Sequence, residues 1–470
     1  MSRDPDPQVS FADLEFSRQG IFLNPDLAAI SSFLDEQKEM IEQVRRDLER
    51  GLKKPQSGRP GLTPAQVLRS LVLMRVKNWQ YRELRERIAD GYTLRGFTDF
   101  RSQPVPKHDA FNRAFNRLTP QTLRTVNELV VRAAVQLGLE DGQQLRVDTT
   151  VVQTNIHHPT DNTLLWDAVR VITRSVGHLQ QALAGGTKRF RKRTRAARRR
   201  MQEIQRLTGP QRPQQQIPKY RQLLSITEQV LEGAREVVRQ THQAVGKRRK
   251  MNPRLRSLCQ EVEHYCQLGD RVVDQTRRRL FQGEQVPATE KLYSIFESHT
   301  NLIKRGKVQT PLEFGHKVFL AQSAHGLITQ YEVLEGNPTD DQQVEPSLQR
   351  HQRLFGHAPH LYGTDRGFYS ETNLRASKRA GVKLVSIPQR GGQKTLQRQA
   401  FEKSPAFKKA QRFRTGIEGR ISVLFRGRGM KRCRAKGRPR FELLVGAAVL
   451  ANNLMRIAAL QASSAKPRAA

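Results

Sequence analysis

Apolar residues in the first part of the chain recur with the spacing of helices. Segment 26–50 places five of them on one helical face before Gly51 ends the pattern: Ile30, Leu34, Ile41, Val44 and Leu48. Another helix is expected to begin at Thr63, because Thr-Pro-Ala-Gln supplies a hydroxyl cap, a proline at the first helical position and a glutamine three residues after the cap. Further helices are predicted over residues 81–89, 108–118 and 120–136.

The pattern changes at residue 144. Segment 144–154 is rich in β-branched residues and carries a carboxylate, Asp148, near its centre, which is typical of a strand. Apolar positions then recur at alternating steps of four and three residues, as on the seam between packed helices: Leu165, Val169, Ile172, Val176, Leu179 and Leu183. We predict two or three long antiparallel helices, which form a coiled-coil-like insertion over residues 163–285.

Strand patterns return after the insertion. Residues 307–337 predict a hairpin with Gly326 near its turn, and shorter strands are expected over residues 360–368 and 381–388. A helix is expected over about residues 401–425. A basic stretch and an apolar helix follow it.

In order along the chain, these elements predict an α/β protein with an all-α N-terminal domain. A helix and linker occupy residues 1–59, and the helical domain covers residues 60–138. The α/β domain comprises residues 139–162 and 286–440, so its sheet is interrupted by the insertion after the first strand. Residues 441–470 form a C-terminal helix and tail.

Basic residues greatly outnumber acidic ones. Of 470 residues, 82 are Lys or Arg and 44 are Asp or Glu, which gives a formal net charge of +38. Such an excess favours a polyanionic partner, of which nucleic acid is the commonest. A membrane partner is not expected, because the longest apolar run, residues 443–451, is far shorter than the roughly 20 residues that cross a bilayer.

Neither secretion nor a cysteine-based site is expected. The N-terminus is polar and has no apolar segment of the signal-peptide type. The three cysteines, Cys259, Cys266 and Cys433, are too few and too irregularly spaced for a disulfide framework or a four-ligand zinc site. A reducing cytosol fits this composition.

Three carboxylates stand where the predicted sheet can bring them together. Asp148 lies within the first strand, Asp365 ends the strand LYGTD, and Glu418 lies in the following helix. Two bare carboxylates about 4 Å apart repel each other by about 4 kcal/mol at an effective dielectric constant of ~20. A divalent cation removes that penalty, and oxygen ligands suit Mg²⁺ or Mn²⁺.

Several motifs resemble, in order, those of the DDE transposases of bacterial insertion sequences. They are VDTTVVQTNI, EFGHKVFL, EGNPTD, YGTDRGFYSETN, GIEGRISVLFRGRG and VLANNLMRIA, and the resemblance covers roughly residues 60–460. It implies a ribonuclease-H-like sheet, with Asp148, Asp365 and Glu418 as catalytic residues and ligands of two Mg²⁺ ions, for which Mn²⁺ can substitute. It also implies double-stranded DNA as partner, a homodimer or higher oligomer on DNA, and a place on the nucleoid in the bacterial cytoplasm.

Around Glu418 the family often shows the pattern Y-x2-R-x3-E-x6-K. Arg414 fits this pattern, but Gln411 occupies the Tyr position and Phe425 the Lys position. Arg414 is expected to contact DNA, and Arg426, one residue after the Lys position, is expected to take the role of the lysine at DNA phosphates.

Each feature also has a structural interpretation. Asp365 alone would fit a turn, and Glu418 alone would fit a surface helix residue paired with Arg414. Asp340 and Asp161 are interpreted as helix caps, His157 and His158 as a polar loop, and Trp166 as a helix-seam residue. The three carboxylates together favour catalysis.

Two basic stretches and one short helix are expected to contact DNA. Residues 188–200 hold nine Lys or Arg and no acid, which favours phosphate contact over a solvated helix face. The members singled out there are Lys188, Arg189, Arg191, Arg193, Arg198 and Arg199; Lys431 and Arg432 belong to the second stretch. Asn112, Arg113 and Arg117 would read bases if the helical domain binds DNA in the helix-turn-helix manner, the alternative being a plain packing domain.

The function expected from these features is transposition. The protein would bind the inverted-repeat ends of a mobile element, hydrolyse a phosphodiester and join the freed 3′-hydroxyl to target DNA. The alternatives are a ribonuclease-H-like nuclease without strand transfer and a non-catalytic, transposase-derived DNA-binding protein. No G-x4-GK-[ST] loop is present, so ATP is not implied.

Overall fold

The computed structural model describes residues 15, 18–54, 57, 61–183, 190–246, 251–304 and 312–464. The chain divides into two compact units, one of residues 1–153 and 316–470 and the other of residues 154–315. Both helices and a mixed sheet are present, so the predicted α/β class is confirmed.

Short helices precede the sheet in the first unit. They are α1 Pro25–Glu36, α2 Lys38–Glu49, α3 Pro64–Val76, α4 Tyr81–Asp90, α5 Tyr92–Phe97, α6 His108–Phe115 and α7 Pro120–Gln136. The predicted start at Thr63 is confirmed, because its hydroxyl accepts from the Gln66 amide while the Gln66 side chain accepts from the Thr63 amide. The continuous helix expected over segment 26–50 is wrong, since the chain leaves helical geometry at Gln37 and starts a second helix.

Seven strands form one sheet. They are β1 Gln144–Thr154, β2 Asn301–Lys304, β3 Leu312–Ser323, β4 Ile328–Val333, β5 Leu361–Gly363, β6 Leu384–Ser386 and β7 Arg432–Cys433. The order is β2-β3-β1-β5-β6, with β4 also paired to β3 and β7 to β1. The predicted hairpin is confirmed: β3 and β4 are antiparallel, and Gly326 adopts a φ of 91° in the turn.

The remaining helices of the first unit surround this sheet. They are α12 Val344–Phe355, α13 Glu371–Arg379, α14 Leu396–Lys403, α15 Pro405–Gly427 and α16 Arg438–Ser464. Buried residues of α16 join two hydrophobic clusters, one with the N-terminal helices and one with β3, β4 and α15. Among the described residues α16 is the one helix long and apolar enough to cross a membrane, and 67% of its apolar window is buried inside the protein. Burial on that scale is typical of a core helix.

The second unit is built on four helices, α8 Asp161–Leu183, α9 Thr194–Arg206, α10 Arg212–Val245 and α11 Pro253–Phe281. Three of them are long, as expected, and the shorter α9 is an addition to the prediction. Leu165, Val169, Ile172, Val176 and Leu179 are all buried in one cluster shared by the four helices. The predicted seam is therefore the hydrophobic core of this unit.

Candidate active site

Asp148 lies on β1, and Asp365 follows β5, the parallel strand beside it. Strand β1 pairs with β5 in a register that aligns Gln144 with Leu361 and Arg146 with Gly363. Continued by two residues, the same register places Asp148 level with Asp365, just past the end of β5. Adjacent strands are about 4.8 Å apart, so the two carboxylates face the same small space.

Asp365 also shapes the turn that follows β5. Its Oδ1 accepts from the Gly367 amide at 2.8 Å and begins a short 3₁₀ turn, Arg366–Phe368. The turn interpretation and the site interpretation of Asp365 are therefore compatible, because Oδ2 remains directed to Arg414 at 3.7 Å.

Glu418 reaches the site from helix α15, which is fastened across the ends of two strands. The Gln411 amide group donates to the Thr364 carbonyl at 3.2 Å, to the Ser386 carbonyl at 2.9 Å and to the Ser386 hydroxyl at 2.8 Å. The helix also packs close to Gly363, where a Cβ would be in ordinary van der Waals contact with the Cβ of Arg414, at 3.5 Å. Gln411 thus anchors the helix.

One guanidinium connects all three candidate carboxylates. Arg414 Nη2 lies 2.8 Å from Asp148 Oδ2 and 3.7 Å from Asp365 Oδ2, and Nη1 lies 3.1 Å from Glu418 Oε1. The side chains of Arg414 and Asp148 are 12% and 13% exposed, whereas that of Glu418 is 64% exposed. The cluster therefore has a buried floor and an open side from which a ligand can enter.

The surroundings of Asp148 disfavour its ionised form. Burial raises the pKa of Asp148 to about 6, and the nearby carboxylates of Asp365 and Asp340 act in the same direction. Arg414 and the hydrogen bond from the Thr149 amide oppose this rise in pKa without cancelling it. Additional positive charge at this position would stabilise the carboxylate.

Asp340 adds a fourth carboxylate beside the cluster. Its Oδ1 accepts from the Thr149 hydroxyl at 2.9 Å and from Lys317 Nζ at 3.2 Å. A Cβ on Gly367 would lie 3.0 Å from Asp365 Oδ1 and 3.1 Å from Asp340 Oδ2, so both acids flank this glycine. The predicted capping role of Asp340 is wrong, because Thr339 is the N-cap, Asp340 is the first residue of the 3₁₀ helix, and its Oδ1 instead accepts from Thr149 and Lys317.

The basic residues after Glu418 lie beside β1. Arg426 is exposed and donates to the Ser422 hydroxyl on its own helix. The Lys431 carbonyl accepts from the Gln153 amide, and the Arg432 guanidinium donates to the Gln153 side chain at 3.0 Å. The side chains of Lys431 and Arg432 are exposed, so this segment presents cations next to the strand that carries Asp148.

In the helical domain, the three predicted base-reading residues differ in their surroundings. Asn112 and Arg113 are exposed on α6. Arg117 lies beyond the end of that helix, where its Nη2 donates to the Arg50 carbonyl at 2.6 Å and Arg50 donates back to the Arg117 carbonyl at 2.7 Å. Arg117 therefore differs from the exposed pair, since its guanidinium connects two helix ends.

In the second unit, the basic stretch lies at the start of α9. Arg191, Arg198 and Arg199 are exposed and Arg193 is half-buried; Lys188 and Arg189 lie outside the described residues. Arg199 is 3.7 Å from Glu203, which Arg200 and Lys219 also contact. For Arg191 and Arg198, no ion pair exists within the described part of the chain, and both guanidinium groups are available.

Three other residues of this unit lie at or near the start of α8. Trp166 packs against the helical core, as expected of a seam residue. His157 Nε2 lies 3.3 Å from Asp167 Oδ2, so this loop histidine is held by a carboxylate. Asp161 does not act as a cap in the expected way, because its carboxylate accepts from Gln275 and Arg279 of α11.

Sequence reasoning missed three residues that shape the site. Lys317 binds Asp340, and Thr149 contacts both Asp148 and Asp340. Half-buried Arg146 donates to the Phe413 carbonyl at 2.7 Å and fills the space over Gly416, where a Cβ would meet its Nη1. All three lie within or directly before the motifs VDTTV and EFGHKVFL, and this position was the sequence signal that could have identified them.

The comparisons with known proteins bear on the N-terminal part of the chain. Residues 21–117 match the family model described as Transposase domain (DUF772). The match supports a transposase. It covers helices α1 to α6 and ends before Asp148, so the carboxylate cluster lies outside the matched residues. No curated protein and no solved structure matches the chain.

Proposed function

We propose that this transposase is of the DDE type, with a ribonuclease-H-like catalytic domain. The observation that carries the proposal is the meeting of Asp148, Asp365 and Glu418 around Arg414 from elements far apart in sequence. The strand arrangement is consistent with it, since an antiparallel hairpin lies on one side of β1 and two short parallel strands lie on the other.

The donor set fits hard divalent cations. All candidate ligands are carboxylate oxygens, they include one buried and one exposed group, and a fourth acid, Asp340, lies beside them. Asp148, Asp365 and Glu418 would hold the metal. Two bound ions would supply charge stabilisation at both the attacking and the leaving oxygen of a displacement at phosphorus.

The chain's own residues prepare the site. Arg414 screens the three carboxylates from one another and favours the ionised form of Asp148. Gln411 fixes α15, and with it Glu418, against the ends of β5 and β6. Because the positions are fixed in the folded protein, little reorganisation is required when the DNA phosphate enters.

DNA is the substrate that the charge distribution favours. Arg426 is exposed on α15, the helix that carries Glu418, and Lys431 and Arg432 are exposed beside β1, the strand that carries Asp148. Arg191 and Arg198 lie on the inserted helical unit. We propose that the first group binds the strand that enters the site and that the second binds DNA phosphates on the inserted unit. Holding two element ends together would require at least a homodimer.

The proposal is tested by incubating the protein with DNA carrying its element's ends and Mg²⁺, and mapping the 3′ termini. A transposase releases 3′-hydroxyl groups at the element ends and joins them to target DNA. Cleavage without joined products would favour the nuclease alternative. Binding without cleavage in either Mg²⁺ or Mn²⁺ would favour the non-catalytic alternative.

A further inference from the structure

A cavity of about 510 Å³ lies at the sheet edge formed by β4, two strands away from β1 and Asp148. Its walls are helices α7 and α12. Residues of α7 at intervals of one helical turn line one wall, Arg124, Glu128 and Arg132, and Arg350 and Arg353 line the other. None of these residues belongs to the carboxylate cluster.

The lining of this cavity is positively charged. It holds four arginines and two glutamates, Glu128 and Glu332. Arg124 is paired with Glu442 at 2.8 Å, and Arg350 is paired with Glu332. Arg132 and Arg353 are exposed and make no ion pair with any residue that the structure describes.

Several polar atoms at the floor lack partners within the described part of the chain. The Nε and Nη2 atoms of Arg350 are buried without a hydrogen bond, and so is Oε1 of Gln330, a residue that is 7% exposed. A buried donor without a partner destabilises the folded protein, and more so when it is charged. A ligand that accepts hydrogen bonds from Arg350 would remove this cost.

We infer that this cavity binds a phosphate group. Guanidinium groups recognise phosphate oxygens through paired hydrogen bonds, and two unpaired arginines stand beside a third with free donors. Gln121, the second residue of α7, also lines the cavity, so the positive N-terminal end of the helix dipole adds to the attraction for an anion. The cavity volume is that of a small-molecule site.

Two sources of phosphate fit this chemistry, a DNA backbone and a free phosphate compound. The inference does not depend on the function of the carboxylate cluster. It is tested with the double variant Arg132→Gln, Arg353→Gln, because both side chains are exposed and their removal leaves the core intact. The matched control is Lys38→Gln, Arg46→Gln, which removes two exposed cations from α2.

Inorganic pyrophosphate, titrated calorimetrically in low-salt buffer, is the first probe. Wild type and control should bind it, and the double variant should bind at least 10-fold more weakly. A DNA duplex without the element's ends is the second probe. If the cavity grips the DNA backbone, removal of two phosphate-binding cations should lower the slope of log K against log salt by about 1.8 in the double variant only.

Weaker binding of pyrophosphate alone would assign the cavity to a free phosphate compound, and weaker binding of the duplex would assign it to DNA. The inference is overturned if the double variant matches the control with both probes. Melting temperatures of all three proteins should agree within a few degrees, which separates a binding effect from misfolding.

Discussion

Arg414 Nη2 lies 2.8 Å from Asp148 Oδ2, although 266 positions separate the two residues in sequence. The same guanidinium contacts Asp365 and Glu418. A cation therefore already occupies the centre of the carboxylate cluster, and it belongs to the helix that carries one of the three acids. This arrangement stabilises the acids in the protein without a bound metal.

Replacing Arg414 by Gln should expose the repulsion within the cluster. The pKa of Asp148 should rise further, since Arg414 is the main interaction that lowers it. Above pH 6 the metal-free variant should be less stable than wild type, and Mn²⁺ should raise its melting temperature more than that of wild type. Arg412→Gln, an exposed change on the same helix, is the control. Identical responses of the two variants to Mn²⁺ would contradict this role of Arg414.

The raised pKa of Asp148 predicts a pH-dependent stability. The folded-state pKa of about 6 exceeds the usual value near 3.9, so the stability that Asp148 contributes is present below pH 4 and is lost as the pH rises through 6. The side chain in the Asp148→Asn variant cannot ionise, so the variant does not lose this stability as the pH rises. In EDTA, urea unfolding should show that the free energy of unfolding of the variant, relative to that of wild type, rises by roughly 3 kcal/mol between pH 4 and pH 7. A difference that stays constant with pH would refute the assignment.

The insertion should contribute binding without sequence preference. Changing Arg191, Arg193, Arg198 and Arg199 to Gln should weaken binding to end and non-end duplexes by the same factor. For each phosphate that is no longer bound, the slope of log K against log salt should fall by about 0.9, and activity should return at low salt.

The control for the insertion removes four exposed arginines elsewhere in the same unit, Arg239, Arg254, Arg256 and Arg271. If the slope of log K against log salt is equal for the two fourfold variants, the cations of α9 do not bind phosphates and belong to a solvated helix face. The insertion would then be better explained as a spacer or an element for dimerisation.

In the helical domain, we expect some residues to affect DNA specificity and a neighbouring residue to affect protein stability. Asn112→Ala and Arg113→Gln change exposed side chains on α6, and each should reduce the preference for end DNA over a scrambled duplex by about 1–3 kcal/mol if the side chain reads a base. Arg117→Gln removes the hydrogen bond to the Arg50 carbonyl and should lower stability by about 1 kcal/mol without changing the preference. The ratio of the two dissociation constants and the urea midpoint measure these effects. Loss of preference in Arg117→Gln alone would reverse the assignment.

The sequence correctly predicted the secondary-structure features that a single local pattern determines. The capping box at Thr63, the hairpin with Gly326 and the seam of α8 depend on residues close together in the chain. The break at Gln37 was missed because the apolar spacing continues across it. Local periodicity does not record such a backbone change.

For the site, motif order was enough to select Asp148, Asp365 and Glu418 but not their neighbours. Arg414 was expected to contact DNA, with a pair to Glu418 one turn away as the structural alternative. Its contacts with the two aspartates depend on how α15 crosses the strand ends. Likewise, the partners of Asp340 come from β1 and β3. Such contacts between distant segments follow from tertiary packing, which a single sequence does not encode in any local pattern.

The central claim is that the three acids around Arg414 perform catalysis, and the direct measurement is single-turnover cleavage of end DNA in Mg²⁺. Asp148→Ala, Asp365→Ala and Glu418→Ala should each reduce the cleavage rate, while binding to end DNA is retained. The reduction should exceed the roughly 100-fold loss of activity that follows removal of a residue hydrogen-bonded to a metal ligand. Glu345→Ala, which removes an exposed acid from α12, should cleave at the wild-type rate. Near-normal cleavage by any one of the three variants would contradict the account.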